Sequence, residues 1–206
     1  MIPLRLSHPP SPGAGDLVVS GAFALRPGRV HEICGPARRG LALRVAGRLS
    51  GPVLWIRPAW QAERLNPDGI CDLVEPGRLI FVDCRRTEDQ LWCLEEALRS
   101  GAVALAVADL LQPPALTPVR RLHLAAEAGA SATGTGKAGT LAPIGLLLTP
   151  GSGGAAGVES RWQATPAHRP EVEGWHISRL RARAEPPQAW RMDATGALAP
   201  LPADDA

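Results

Sequence analysis

The chain has 206 residues, 45% apolar and 20% charged, which suits one globular domain with a sizeable core and leaves little room for two. A formal net charge of +2 supplies no strong global field toward nucleic acid or membrane. No run reaches the 18 apolar residues of a membrane span, and the first residues lack the apolar stretch of a secretory signal, so a cytoplasmic location is expected. The four cysteines (Cys34, Cys71, Cys84, Cys93) form no CxxC pair and have no histidine at metal spacing, so they read as reduced thiols. One Lys stands against 21 Arg, which makes arginine the default cation and a lone arginine a weak clue.

Residues 1–16 are rich in Pro, Ser and Gly and predict a flexible arm. LVVSGAFAL at 17–25 predicts a strand or a short packed segment. RVHEIC follows as a strand, GPARRG as a loop, and LALRVAGRLSG as a helix with Leu41, Leu43, Val45 and Leu49 buried. VLWI at 53–56 is a buried strand, the polar stretch after it holds at most a short helix, and RLIFVD at 78–83 is another strand.

TEDQLWCLEEALRSG is the clearest helix. Thr87 and Gln90 have capping-box spacing, Leu91, Leu94 and Leu98 share a face flanked by Trp92, and Gly101 supplies the stop. AVALAVAD is an apolar strand ending in Asp109. LTPVRRLHLAAEAG is a helix capped by Thr117, with Pro118 in its first turn and Gly129 at its end. SATGTGKAGT at 131–140 and GSGGAAG at 151–157 predict flexible loops around the strand IGLLL. RWQAT, WHISRLRARA and AWRMD predict antiparallel strands, and residues 196–206 a frayed tail. Continuous apolar strands alternating with helices argue for an α/β domain over residues 17–195, with a mostly parallel sheet covered on both faces.

One segment comes close to phosphate chemistry. In HEICGPARRGLAL, a strand, a Gly-rich turn and a helix follow one another, and Gly35 and Gly40 have the spacing of a P-loop, GxxxxGK[ST]. The loop runs Gly35, Pro36, Ala37, Arg38, Arg39, Gly40. The next two positions, which need Lys and Ser or Thr, are Leu41 and Ala42. The missing lysine would face the β- and γ-phosphates and the missing hydroxyl would hold Mg²⁺. The simplest reading is that the two glycines permit a tight strand-to-helix turn. Arg38, Arg39, Arg44 and Arg48 are either solvated charge or a surface for a nucleotide, a phosphate, a DNA backbone or a protein partner. ATGTGKAGT imitates a P-loop around Lys137, but Ser131 stands where the first glycine belongs and Ala138 where the hydroxyl belongs.

In the tail, alternation puts Trp175, Ile177, Arg179, Arg181 and Arg183 on one strand face. With Trp190 and Arg191 they make a second candidate surface for a partner or for DNA, although Trp190 also fits a core position.

The ordered set HEICGPARRGLAL, VLWI, RLIFVDCRRTEDQLWCLEEALRSGAVALAVAD and PIGLLL resembles a RecA-like P-loop NTPase core. It is most similar to the ImuA (inducible mutagenesis protein A) family, over roughly residues 20–195. The resemblance implies a mostly parallel sheet flanked by helices, with antiparallel C-terminal edge strands. It matches Asp109 to the Walker B acid and places no carboxylate in the Arg57–Trp60 stretch, where active relatives carry a catalytic glutamate. The implied protein is a non-catalytic adaptor of the bacterial SOS DNA-damage response that supports error-prone translesion synthesis. Its implied partners are an ImuB-like Y-family protein, a DnaE-type polymerase and RecA, with DNA contacted indirectly and no cofactor held. Two alternatives remain at this point: a weak ATPase using Arg38 or Arg39 with Asp109 and Mg²⁺, and a cell-division inhibitor similar to SulA.

Overall fold

A computed structural model describes residues 13–132, 141–183 and 185–201. The elements in chain order are β1 (Leu17–Ser20), β2 (Phe23–Leu25), β3 (Val30–Cys34), α1 (Arg38–Gly47), β4 (Val53–Pro58), α2 (Pro67–Ile70), β5 (Leu79–Cys84) and α3 (Thr87–Ser100). There follow β6 (Leu105–Asp109), α4 (Leu116–Ala132), β7 (Ile144–Thr149), β8 (Ser160–Pro166), β9 (Gly174–Ala182), β10 (Gln188–Asp193) and β11 (Leu198–Pro200).

Nine strands form one sheet in the order β11-β10-β9-β8-β3-β7-β6-β4-β5. From β8 through β5 all neighbours are parallel, and from β8 outward to β11 all are antiparallel. The architecture is therefore α/β, a mostly parallel central sheet flanked by helices, with antiparallel edge strands. The central strands β3, β6 and β7 are buried at every residue, which is why β6 and β7 carry apolar runs rather than alternation, while β3 also buries His31 and Glu32.

Each face of the sheet has its own core. On one, α1 and the β1–β2 hairpin pack Leu41, Val45 and Phe23 against Ile33, Trp55, Leu146 and Trp162. On the other, α3 and α4 pack Leu94, Leu98, Val119 and Leu122 against Ile56, Ala106, Ala108 and Leu147. Leu94 and Leu98 are buried as their spacing predicts, whereas Trp92 points to solvent. Gly101 ends α3 in the left-handed conformation, as expected.

Several sequence expectations need correction. The capping box does not form: Arg86 holds the N-cap position and no side chain caps α3. Gln90 instead turns inward and its amide donates to the Asp109 carbonyl at 2.9 Å, satisfying a buried acceptor at the end of β6. Gly129 does not end α4, which runs on to Ala132. A side chain there would put its Cβ 2.0 Å from the Leu98 carbonyl oxygen, so this glycine is where α4 meets the end of α3. The expected frayed tail begins instead with β11, antiparallel to β10. The Lys137 loop lies outside the described residues, as do residues 1–12 of the arm. Among the described residues, no helix is long and apolar enough to cross a membrane.

Candidate functional site

In parallel α/β sheets, ligands are held at the carboxyl ends of the strands. Here that end brings together the β3–α1 turn, the ends of β4 and β6, and the loop after β7. Gly35 opens the turn with φ +91°, and a Cβ on it would lie 2.5 Å from the Ala164 carbonyl oxygen of neighbouring β8. The same carbonyl accepts from Ala37 N at 3.0 Å. Helix α1 begins at Arg38, so Arg38, Arg39 and Gly40 lie in its first turn rather than in a loop. The turn is therefore shorter than the sequence suggests, and one of its N–H groups is committed to the protein's own backbone. Leu41 and Ala42 are buried in the apolar core behind it.

Asp109, 4% exposed at the end of β6, faces this turn. Arg39 Nε donates to its Oδ2 at 2.6 Å, and Arg38 Nη2 lies 3.5 Å from Oδ1. The Arg39 Nη1 group reaches Glu63 Oε2 at 2.6 Å. Burial opposes the charge on Arg39, but the hydrogen bond it donates to Glu63 and the charge of Asp109 outweigh it and raise its pKa. Arg38 Nη1 donates to the Gly35 carbonyl at 3.2 Å, while its Nε is buried without a partner. Glu63 was missed by sequence reasoning. It lies beyond the Arg57–Trp60 stretch, and nothing in the local pattern links it to Arg39. Arg57 itself pairs with Asp83 at 2.5 Å and stacks over Phe81.

This donor set does not fit a Mg²⁺–triphosphate. The acid that would orient the metal is taken up by two guanidinium groups. The two positions that would grip phosphate and metal are buried and apolar. Among the described residues no cluster of three or more metal-ligating side chains occurs.

The three arginines of α1 and Arg48, which caps its end, do not form one basic surface. Arg38 and Arg39 turn to Asp109. Arg44 stacks over Trp175 at 5.2 Å and donates to the Ala194 carbonyl at 3.0 Å. Arg48 donates to the Val19 carbonyl at 2.9 Å. A cavity of about 390 Å³ beside Arg44 is lined by Leu41, Leu73, Trp175, Ile177 and Met192, with Asp72 and Glu173 at its polar side.

The expected arginine ladder of β9 is also broken. Alternation places Trp175, Ile177 and Arg179 on one face, but that face looks into the core. Arg179 is 2% exposed, paired with Glu185, and lies 5.6 Å and 5.2 Å from the rings of Trp162 and Trp190. Burial lowers its pKa. Trp190 is buried, as its core reading predicts. A bulge in β9 at Leu180, opposite the Arg161–Trp162 step of β8, shifts the pairing, and beyond it Arg181 and Arg183 reach solvent. Arg191 is half-buried in β10, away from them in register.

The 151–157 segment is not the free loop its composition predicts. Glu32, fully buried on β3, accepts from Thr149 Oγ1 at 2.6 Å, Gly154 N at 2.9 Å and Ala155 N at 3.1 Å. Arg161 Nε completes the cage at 2.5 Å. The available sequence signal was a lone acid inside the apolar run VHEIC.

A second buried network joins His31, Ser160 and Trp162. His31 Nε2 donates to the Arg26 carbonyl at 3.0 Å, which leaves Nδ1 to accept from the Ser160 hydroxyl at 2.7 Å. Trp162 Nε1 donates to the same hydroxyl at 3.0 Å. Burial pushes the His31 pKa down to about 4, so the ring is held neutral.

No protein-family model matches this sequence, and no curated protein matches it.

Proposed function

We propose that this chain is a non-catalytic, RecA-like adaptor of the bacterial SOS DNA-damage response that supports error-prone translesion synthesis in the cytoplasm. The observation that carries the non-catalytic part is the clamp on Asp109 by Arg39 and Arg38, with Leu41 and Ala42 buried behind the turn. An acid engaged this way has no free oxygen pair for Mg²⁺, and removing the lysine and hydroxyl removes the groups that hold phosphate. The accessory role rests on the sequence resemblance to the ImuA family. Its partners are an ImuB-like Y-family protein, a DnaE-type polymerase and RecA. DNA is contacted through them, in keeping with α1 arginines that are engaged within the chain.

Two measurements test this reading. ATP turnover with Mg²⁺ is expected at background with and without single-stranded DNA. DNA-stimulated turnover that disappears in Asp109→Asn overturns the non-catalytic assignment. Affinity capture of the tagged protein from DNA-damaged cells is expected to recover the translesion partners. Recovery of the division GTPase in their place, with filamentation on overexpression, overturns the adaptor role in favour of the SulA-like reading.

A further inference from the structure

Four cysteines occupy three kinds of place. Cys34 is buried at the end of β3, Cys71 is exposed after α2, and Cys84 and Cys93 face each other. Cys84 closes the edge strand β5 and Cys93 lies on the second turn of α3, with their Sγ atoms 3.9 Å apart. Cys84 is buried, while Cys93 is partly open to solvent. Burial, and then the neighbouring Cys93, push the Cys84 thiol up to about 11, so the resting pair is two thiols.

We propose that Cys84 and Cys93 form a reversible disulfide in response to a hydroperoxide. The Cys93 sulfur, the more accessible of the two, attacks the terminal peroxide oxygen. The O–O bond breaks, one molecule of water or alcohol leaves, and Cys93 becomes a sulfenic acid. The Cys84 sulfur then attacks the Cys93 sulfur. The S–O bond breaks, and a water leaves with the Cys84 proton. Two electrons pass from the thiol pair to the peroxide, and a dithiol reverses the bond by exchange.

The bond has a structural consequence. A disulfide holds its sulfurs about 2.0 Å apart, so closing from 3.9 Å draws the end of β5 and the second turn of α3 together. That helix carries Gln90, one turn earlier, on the Asp109 carbonyl. The Cys84 carbonyl, in turn, accepts from Ala59 N at 2.8 Å at the end of β4. The thiol pair is thus tied on both sides to the Asp109 end of the sheet.

The test uses the full chain carrying Cys71→Ser, which leaves three thiols of the four. Hydrogen peroxide is expected to lower the intact mass by about 2 Da and to leave a single thiol open to alkylation after denaturation. Trypsin cuts after Arg85 and Arg86, so Cys84 and Cys93 fall in separate peptides, 79–85 and 87–99. Those two peptides should appear joined after oxidation and apart after dithiothreitol. Adding Cys93→Ser should abolish the joined species. Adding Cys84→Ala should also abolish it and leave Cys93 to over-oxidise. Three alkylatable thiols at a peroxide dose that oxidises Cys71 in the unsubstituted chain overturn the proposal. So does a gain of about 32 Da on Cys93 without a joined peptide.

Discussion

Glu32 and Asp109 are two buried carboxylates on β3 and β6, separated in the sheet only by β7. Glu32 is held mostly by backbone N–H groups and a threonine hydroxyl, with one arginine. Its partners belong to a loop and a strand end that have nowhere else to go. Asp109 is held by two long side chains, each about a fifth to a quarter exposed, that reach across from α1. The first arrangement fixes backbone. The second neutralises a charge through side chains alone. Acids of similar burial therefore do different jobs, decided by whether their partners are main chain or side chain.

Three outcomes break or sharpen this contrast. The largest is expected for Glu32→Ala. Removing one partner of a buried, multiply bonded charge costs about 3–5 kcal/mol, read as a lower urea midpoint. Hydrogen exchange should also speed up across residues 151–157. A loss below about 1 kcal/mol with unchanged exchange would make the cage incidental.

The second effect is comparable and depends on pH. The folded pKa of His31, about 4, lies below the ordinary value of 6.5. Between those values the unfolded chain takes a proton that the folded one refuses. Stability therefore falls as pH drops from about 6.5 toward 4, by about 3 kcal/mol in all, and the contribution is flat outside that window. His31→Leu should remove most of this slope in urea titrations at pH 4.5 and 7. Part of it should survive, because burial also lowers the pKa of His123.

The smallest effect is expected for Arg39→Ala, at about 1 kcal/mol or less after solvent screening. It should shrink further in 0.5 M salt. A salt-independent loss as large as that of Glu32→Ala would put the two carboxylates in one class.

Much of the sheet was legible because β4, β6 and β7 carry apolar runs bounded by Gly, Pro and Asp. Helix α3 was legible from Leu94, Leu98 and Gly101. What stayed hidden depends on contacts remote in sequence. The start of α1 is tied to a carbonyl from Ala164, and Gly129 makes room for Leu98. The anchor of the 151–157 loop is an acid more than a hundred residues earlier. Arg179 escaped for a different reason. Alternation placed its face correctly, but a guanidinium counts as polar, and nothing local says that two tryptophans enclose it. At the candidate site, Arg38 or Arg39 was joined with Asp109 only as a possible nucleotide site, while their direct ion pairing and Glu63 came from the fold.

The position of β3 also sets an order of assembly. Among the described residues its sheet neighbours are β7 and β8, which follow it by more than a hundred residues. β8 joins β9 and β10 through local turns, so that meander can form on its own terms, whereas β3 must wait for distant chain. During synthesis the β3 strand, with its unsatisfied Glu32, is made early and has no edge to join until residues 144–166 have left the ribosome. Until then β3 has no partner, whereas β4, β5 and β6 follow one another within residues 53–109 and pair among themselves, so the first piece of sheet can form without it.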